Sequence, residues 1–396
     1  MHILYISALS SERFIHELYK RTKTDPGYAV QKFSRLLVKG LLVNHIGVKA
    51  ITNPPITRQN SSRLFVFQKT ERENGITYKY APIINVPILK QISSFIYIFS
   101  YVFFWGLRHK KKKIIICDVL NVSGSVAALL ASKFNGITSV GVVTDIYEFM
   151  VSGASDNDII GTIACMTNHF YVKSFDKYVL LTEQMNELVN PKNKPHIIME
   201  ALCDSSISLD KQMLAEKESP RCMLYAGGLH IKYGLRMLVD AFIQSGVDGK
   251  LVIYGDGPYA DELREVSARS DMVDYRGVAT NEEVVEAECK ASILVNPRFT
   301  TEAFSLYSFP SKNMEYMVSG TPLLTTKLSG MPAEYHNYVY LFGEETLEGY
   351  TDTIRKVFAK PQEELDHLGA CARKFVLDTK NNVVQAKRIV ELCTLS

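Results

Sequence analysis

Short β-branched runs recur along this chain at 2–7, 114–119, 139–144, 178–182, 196–199, 222–226, 250–254, 293–296, 322–325 and 338–342. Most are separated by stretches of helical length, and none shows the strict polar alternation of a sheet wetted on one face. Strands that alternate with helices and are apolar on both sides belong to right-handed βαβ units with covered parallel sheets. The pattern predicts a doubly wound α/β protein. At 396 residues the chain suits two domains better than one core. The polar segment 203–221 lacks an apolar period and is the expected linker. After it, Arg221 to Gly228 begins a second strand-then-glycine unit, as the N-terminus began the first. Two Rossmann-like domains facing across a hinge follow, with ligands expected beyond the carboxyl ends of the strands.

Composition narrows the function classes. A net charge of +3 is too small to imply a nucleic-acid partner from the bulk. The seven Cys form no Cys-x-x-Cys pair and lie mostly in apolar runs, so they read as reduced thiols. The start, Met1 to Ser7, reads as a first strand rather than a secretory signal, and the expected location is the cytoplasm. Ile92 to Leu107 is apolar but has 16 residues, fewer than the roughly 20 of a spanning helix. Arg108 to Lys113 follows it as a basic run, so the pair reads as a buried helix with a solvated end or as a peripheral device for an anionic membrane surface.

The stretch from Leu294 to Pro322 carries the densest chemistry. A strand ends at Asn296-Pro297, Pro310 stands where a helix can begin, and Gly320 followed by Pro322 ends it, giving a helix over Ser311 to Ser319. Met314, Met317 and Val318 share its buried face, while Ser311 and Glu315 lie one turn apart beside Lys312. A helix start offers free N–H groups to a diphosphate. Lys312 adds charge there, Arg298 offers a bidentate fork, and Glu315 can accept from vicinal hydroxyls such as those of a ribose. The bland alternative is an exposed Lys312–Glu315 ion pair and a surface Arg298.

On these residues, Phe309 to Met317 followed by Ser319-Gly320-Thr321-Pro322, the chain resembles glycosyltransferase family 4, the retaining GT-B enzymes, in the branch that builds bacterial surface and capsular polysaccharides. The resemblance implies a GT-B fold. An acceptor-side domain spans 1–204 and is joined by a C-terminal helix at about 380–396, and a donor domain spans 205–379. It implies metal-independent transfer of a sugar, with UDP the expected nucleotide, to a carbohydrate or lipid-linked acceptor. No cofactor is expected beyond the nucleotide-sugar co-substrate. Glu315 matches the family Glu that holds the donor ribose.

There are departures. The first Glu of the family's pair falls at Tyr307, so Glu302, earlier in the same loop, is the candidate to reach the sugar. Tyr225 to Phe242 resembles the first strand and glycine loop of the donor domain, where Gly227 and Gly228 would admit a phosphate or merely turn the chain. The family's usual Arg and Lys there correspond to Gly228 and Tyr233, which throws the phosphate charge onto Arg298 and Lys312, with Lys232 a substitute. The resemblance also makes Gly277 and Val278 a base pocket, while Asp256 reads as a turn residue. In the first domain Asp145 is a cleft residue near the reacting sugar or a helix cap; Glu200, Ser10 and Ser11 are lesser candidates. No His triad or Asp-x-Asp beside a strand end suggests a metal. Two other classes remain: a GT-B nucleotide-sugar epimerase and a non-catalytic GT-B partner subunit.

Overall fold

The computed structural model describes residues 1–22, 28–108, 112–147, 159–207 and 216–394. The chain divides into two compact units, Met1–Leu202 with Asn382–Ser396, and Cys203–Asn381. Residues 208–215 of the expected linker and 109–111 of the basic run lie outside the described residues.

The first unit has ten strands among the described residues: β1 (His2–Ser7), β2 (Gly47–Thr52), β3 (Phe65–Val66), β4 (Glu71–Glu73), β5 (Ile76–Tyr80), β6 (Ile83–Ile84), β7 (Lys113–Asp118), β8 (Thr138–Val143), β9 (Lys177–Leu180) and β10 (His196–Ile198). Its helices are α1 (Glu12–Thr22), α2 (Tyr28–Val43), α3 (Pro87–Arg108), α4 (Val122–Phe134), α5 (Ile159–Tyr171) and α6 (Gln184–Val189). Eight strands form one sheet in the order β10-β9-β8-β7-β1-β2-β5-β4, parallel except for β4 at the edge, while β3 and β6 make a small antiparallel ribbon. Strand β1 sits between β2 and β7 with His2 opposite both Gly47 and Lys113, and Ile3 to Ser7 are all buried. A strand covered on both faces must be apolar throughout, which is why the run is unbroken.

The second unit contains β11 (Cys222–Ala226), α7 (Leu235–Ser245), β12 (Lys250–Tyr254), α8 (Ala260–Arg269), β13 (Val273–Gly277), α9 (Asn281–Lys290), β14 (Ile293–Asn296), α10 (Ser311–Ser319), β15 (Leu323–Thr325), β16 (Tyr340–Leu341), α11 (Leu347–Phe358) and α12 (Gln362–Thr379). Its sheet is wholly parallel, in the order β13-β12-β11-β14-β15-β16. In sequence terms this is 3-2-1-4-5-6, the doubly wound order. The order reverses between β11 and β14, so the loops leaving these two strands are where a ligand is expected in this unit.

A last helix, α13 (Asn382–Thr394), returns to the first unit and packs on α2. Ala386, Ile389, Leu392 and Cys393 join the core that β1 and α2 build. The approach is backbone-close: a Cβ on Gly40 of α2 would stand 2.0 Å from the Asn382 carbonyl oxygen, so only glycine fits. All seven Cys are free, and Cys117, Cys203, Cys222, Cys289 and Cys393 are buried.

The apolar segment differs from its sequence reading in length. The run read as Ile92 to Leu107 is extended at its start by Pro87–Gln91, and α3 is a 22-residue helix, long and apolar enough to cross a membrane by length and composition. It is a crossover helix of the first unit, and Ser94, Ile98, Val102 and Trp105 are its buried residues.

Candidate donor-binding site

In the second unit the carboxyl ends of β11 and β14 lead into loops that meet the start of α10. Helix α10 is fixed to both strands by side chains of its own. Tyr316 Oη accepts from the Ala226 backbone N–H (2.8 Å) and donates to the Ala226 carbonyl (3.2 Å). Asn296 Nδ2, on β14, donates to Asn313 Oδ1 (2.7 Å). Tyr316 and Asn313 are buried, so these bonds form away from water and hold the helix start in one place. Pro310 occupies the cap position and no side chain caps the helix, while Gly320 closes it at φ 82°. The first turn therefore offers N–H groups and the positive end of the helix dipole.

Lys312 lies in that first turn. Its Nζ donates to Tyr225 Oη (3.0 Å) and stands 4.3 Å from the Tyr225 ring centroid. Tyr225 Oη in turn donates to the Gly228 carbonyl (3.0 Å). The amine occupies the space beside Gly227: a Cβ there would fall 1.3 Å from Lys312 Nζ, and φ is +151°. The conformation favours glycine at this position, and a side chain there would displace the lysine. Burial and the positive charge of Arg298 pull the Lys312 amine down to about 7, against the opposing pull of Glu315 and Glu288.

Arg298 leaves the end of β14, and its guanidinium carbon stands 4.8 Å from the Tyr233 centroid and 5.3 Å from that of Phe304, two rings that themselves meet edge to face at 6.3 Å. Its Nη1 donates to Ser308 Oγ (3.2 Å). Cation–π contacts with these two adjoining rings restrain the fork. Lys232 shares the same rings at 5.7 and 5.5 Å. Sequence reasoning counted Tyr233 as a lost lysine. The structure shows it as one of two adjoining rings that the Arg298 guanidinium contacts.

Three glycine turns stack beside this charge. Gly227 N–H donates to the Tyr254 carbonyl (3.0 Å), Gly255 N–H to the Gly277 carbonyl (2.8 Å), and a Cβ on Gly255 would strike the Gly227 oxygen at 1.8 Å. Gly277 has φ +69° with open space where a Cβ would be, so its conformation alone calls for glycine, and Val278 beside it is 76% exposed. Asp256 accepts from the Gly257 N–H (2.8 Å), a turn role. Ser311 and Glu315 are exposed on α10 one turn apart. Glu302 is half-buried and opens the short 3-10 turn Ala303–Tyr307, which also holds Phe304 and Tyr307.

The first unit holds Asp145, half-buried in the bend after β8. Its neighbour in charge is Asp118, a residue sequence reasoning passed over. Asp118 ends β7, is buried, and accepts from the Leu120 N–H (3.0 Å). Burial first, and the charge of Asp145 second to it among the raising causes, bring its carboxyl up to about 6. A carboxylate as the last residue of an otherwise apolar strand was the available signal. Ser11 behaves as a cap, its Oγ accepting from the Phe14 N–H (3.1 Å), and the Ser10 N–H donates to Gln31 (2.8 Å). Glu200 is buried.

Residues 220–360, most of the second unit, match the family model described as Glycosyl transferases group 1. No curated protein matches the chain. Among solved structures the chain resembles sucrose-phosphate synthase from Thermosynechococcus elongatus (13% identity, TM-score 0.64, covering 99% of this chain and 98% of that one). It also resembles the lipopolysaccharide outer core galactosyltransferase WaaB (13%, 0.63, 99% of each). A third is HepE from Anabaena, solved in complex with UDP (13%, 0.61, 99% of each). At such identities the likeness is one of fold. From 220 to 360 in sequence, and along its whole length in fold, this chain is similar to the GT-B glycosyltransferases.

Proposed function

We propose that the protein transfers a sugar from a nucleoside diphosphate donor, UDP being the first to test, to a carbohydrate acceptor. The observation that carries this reading is the meeting of Arg298, Lys312, the uncapped start of α10 and the Gly227 turn at the strand-order reversal of the second sheet. The family match over 220–360 and the UDP bound to HepE support the nucleotide. In the step itself, the bond between the sugar C1 and the β-phosphate oxygen breaks, and one from an acceptor hydroxyl to C1 forms. The acceptor proton passes to the departing diphosphate. Arg298, Lys312 and the helix N–H groups meet the charge growing on that diphosphate. Glu315 holds the ribose, Glu302 the sugar, and Gly277 with Val278 flank the base. Front-side attack, retention and independence of metal are part of the proposal, as is a lipid-linked acceptor in surface polysaccharide synthesis.

The test is a screen of nucleotide sugars by thermal shift, followed by product analysis with and without acceptor. A donor binding only the folded state raises its stability by mass action. Transfer of the α-linked sugar in the presence of chelator is the expected result. Conversion of donor alone to an epimer, or no binding of any nucleotide, would overturn it.

A further inference from the structure

Helix α3 presents two unlike faces. Ser94, Ile98, Val102 and Trp105 point inward, and the helix packs along α4. On the opposite side Ile88, Leu89, Ile92, Ile96, Phe104 and Leu107 are exposed, from 44% for Leu89 to 65% for Leu107. Phe99 extends this surface to Phe134 at the end of α4, which packs edge-on against it at 6.2 Å and is 73% exposed. At the other end of α3 the β3–β6 ribbon adds exposed Leu64, Phe65 and Phe67. The ribbon is anchored there by the Ile84 N–H, which donates to Ser93 Oγ (3.2 Å), and the segment after β2 by Lys90 Nζ, which donates to the Ile56 carbonyl (2.7 Å). A continuous apolar strip thus runs the length of a helix of about 33 Å. Patches of this extent on a folded surface mark an interaction site.

Charge says what covers it. Between residues 26 and 144 the sequence has sixteen Lys and Arg and only three acidic residues, Glu71, Glu73 and Asp118, although the whole chain carries +3. Exposed Arg58, Arg63 and Lys69 flank the ribbon end of the strip, and exposed Arg108, Lys112 and Lys133 flank the other. No acidic residue occurs in α3 itself. An apolar, aromatic strip with cations at both ends matches a surface that is greasy below and negative at its rim.

We propose that this face seats the first unit flat on an anionic lipid bilayer, with α3 lying in the interface. The buried residues of α3 are held by protein on one side, and the bare ones enter the acyl boundary on the other. The inference does not rest on the transferase reading, since neither the strip nor its basic ends belong to the donor site.

The experiment is flotation of the full chain with vesicles of phosphatidylcholine alone or mixed equally with phosphatidylglycerol, at low and high salt. Binding is expected on the mixed vesicles, weakened by salt. Each charge removed, as in Arg63→Gln or Lys112→Gln, should lower partitioning about fivefold. The double variant Ile96→Asp with Phe104→Asp should lose binding to both vesicles while keeping its melting temperature and its UDP affinity. Failure of the wild type to float with the anionic vesicles would overturn the proposal. So would equal, salt-independent binding to both vesicle types. So would a solution dimer that the double variant abolishes in the absence of lipid, which would assign the strip to a second copy of the chain. UDP titration of the same samples reads the donor site separately.

Discussion

Lys312 offers a prediction that reaches beyond loss of activity. In the unliganded chain its amine is pulled down to about 7 by burial and by Arg298. A diphosphate placed between these cations supplies the missing negative charge and restores the lysine toward its usual value of about 10.4. At pH 8 the free protein then holds a mostly neutral amine and the complex a charged one, so UDP binding takes up close to one proton. Affinity should be level just below pH 7 and fall by up to about tenfold per pH unit above it, each unit being about 1.4 kcal/mol. The terminal phosphate of UDP ionises near pH 6, so the limb above pH 7 belongs to the lysine. The stability sign is opposite. The folded value lies below the unfolded one, so the unfolded chain binds more protons between about 7 and 10.4. The lysine's cost to folding is therefore present in full below pH 7 and is relieved as pH rises through that window. Calorimetry in two buffers of different ionisation heat counts the proton directly. Lys312→Met should bind UDP weakly, show no alkaline limb, and melt no lower than wild type at pH 7. Tight UDP binding at pH 8 with no proton uptake would refute the placement of the diphosphate against Lys312.

Other outcomes follow from the same geometry. Arg298→Ala should cut turnover by about 10²–10³, the usual cost of one transition-state contact, and Arg298→Lys should restore little because an ammonium lacks the planar bidentate fork; steady-state kinetics on the folded variants decides. Glu315→Gln should weaken UDP binding while Glu302→Gln mainly slows turnover, and equal UDP affinity in wild type and the Glu315 variant would remove the ribose assignment. Tyr316→Phe leaves the buried Ala226 N–H without its acceptor and should cost about 1–3 kcal/mol in a urea titration, with a larger loss of nucleotide affinity than of secondary structure.

The fold class was legible because parallel strands covered on both sides must be apolar throughout. Such runs announced β1, β7, β8 and β11, all buried along nearly their whole length. Strands with a polar side were not announced. In β5, Ile76, Tyr78 and Tyr80 are buried while Thr77 and Lys79 are not, and in β2 Gly47 and Lys49 are exposed among buried neighbours. β13, at the sheet edge, carries Asp274 and Arg276 and entered only through the resemblance. Within the site, Arg298, Lys312 and Gly227 were legible from their places at a strand end, a helix start and a glycine turn. Their aromatic setting was not. Tyr225 under Lys312, and Tyr233 with Phe304 beside Arg298, come together from separate strands and loops, and no local spacing encodes that meeting. Asn313 and Tyr316 carry no local signal of their role, because their partners, Asn296 and Ala226, are distant in sequence.

The return of α13, residues 382–394, to the first unit makes the second unit an insertion in the first. Its two ends are adjacent: Cys203 bridges Asn381, and the Cys203 N–H donates to the Lys380 carbonyl (3.3 Å). As the chain leaves the ribosome, residues 203–381 form a closed body whose own core is complete before the last helix is made. The first unit, by contrast, lacks Ala386, Ile389 and Leu392 until α13 has been made, and β1 and α2 must wait with one flank bare. The half that emerges first is thus the half that matures last, and chaperone dependence, early proteolysis and sensitivity to loss of α13 should all concentrate there, while the second unit is ready beforehand.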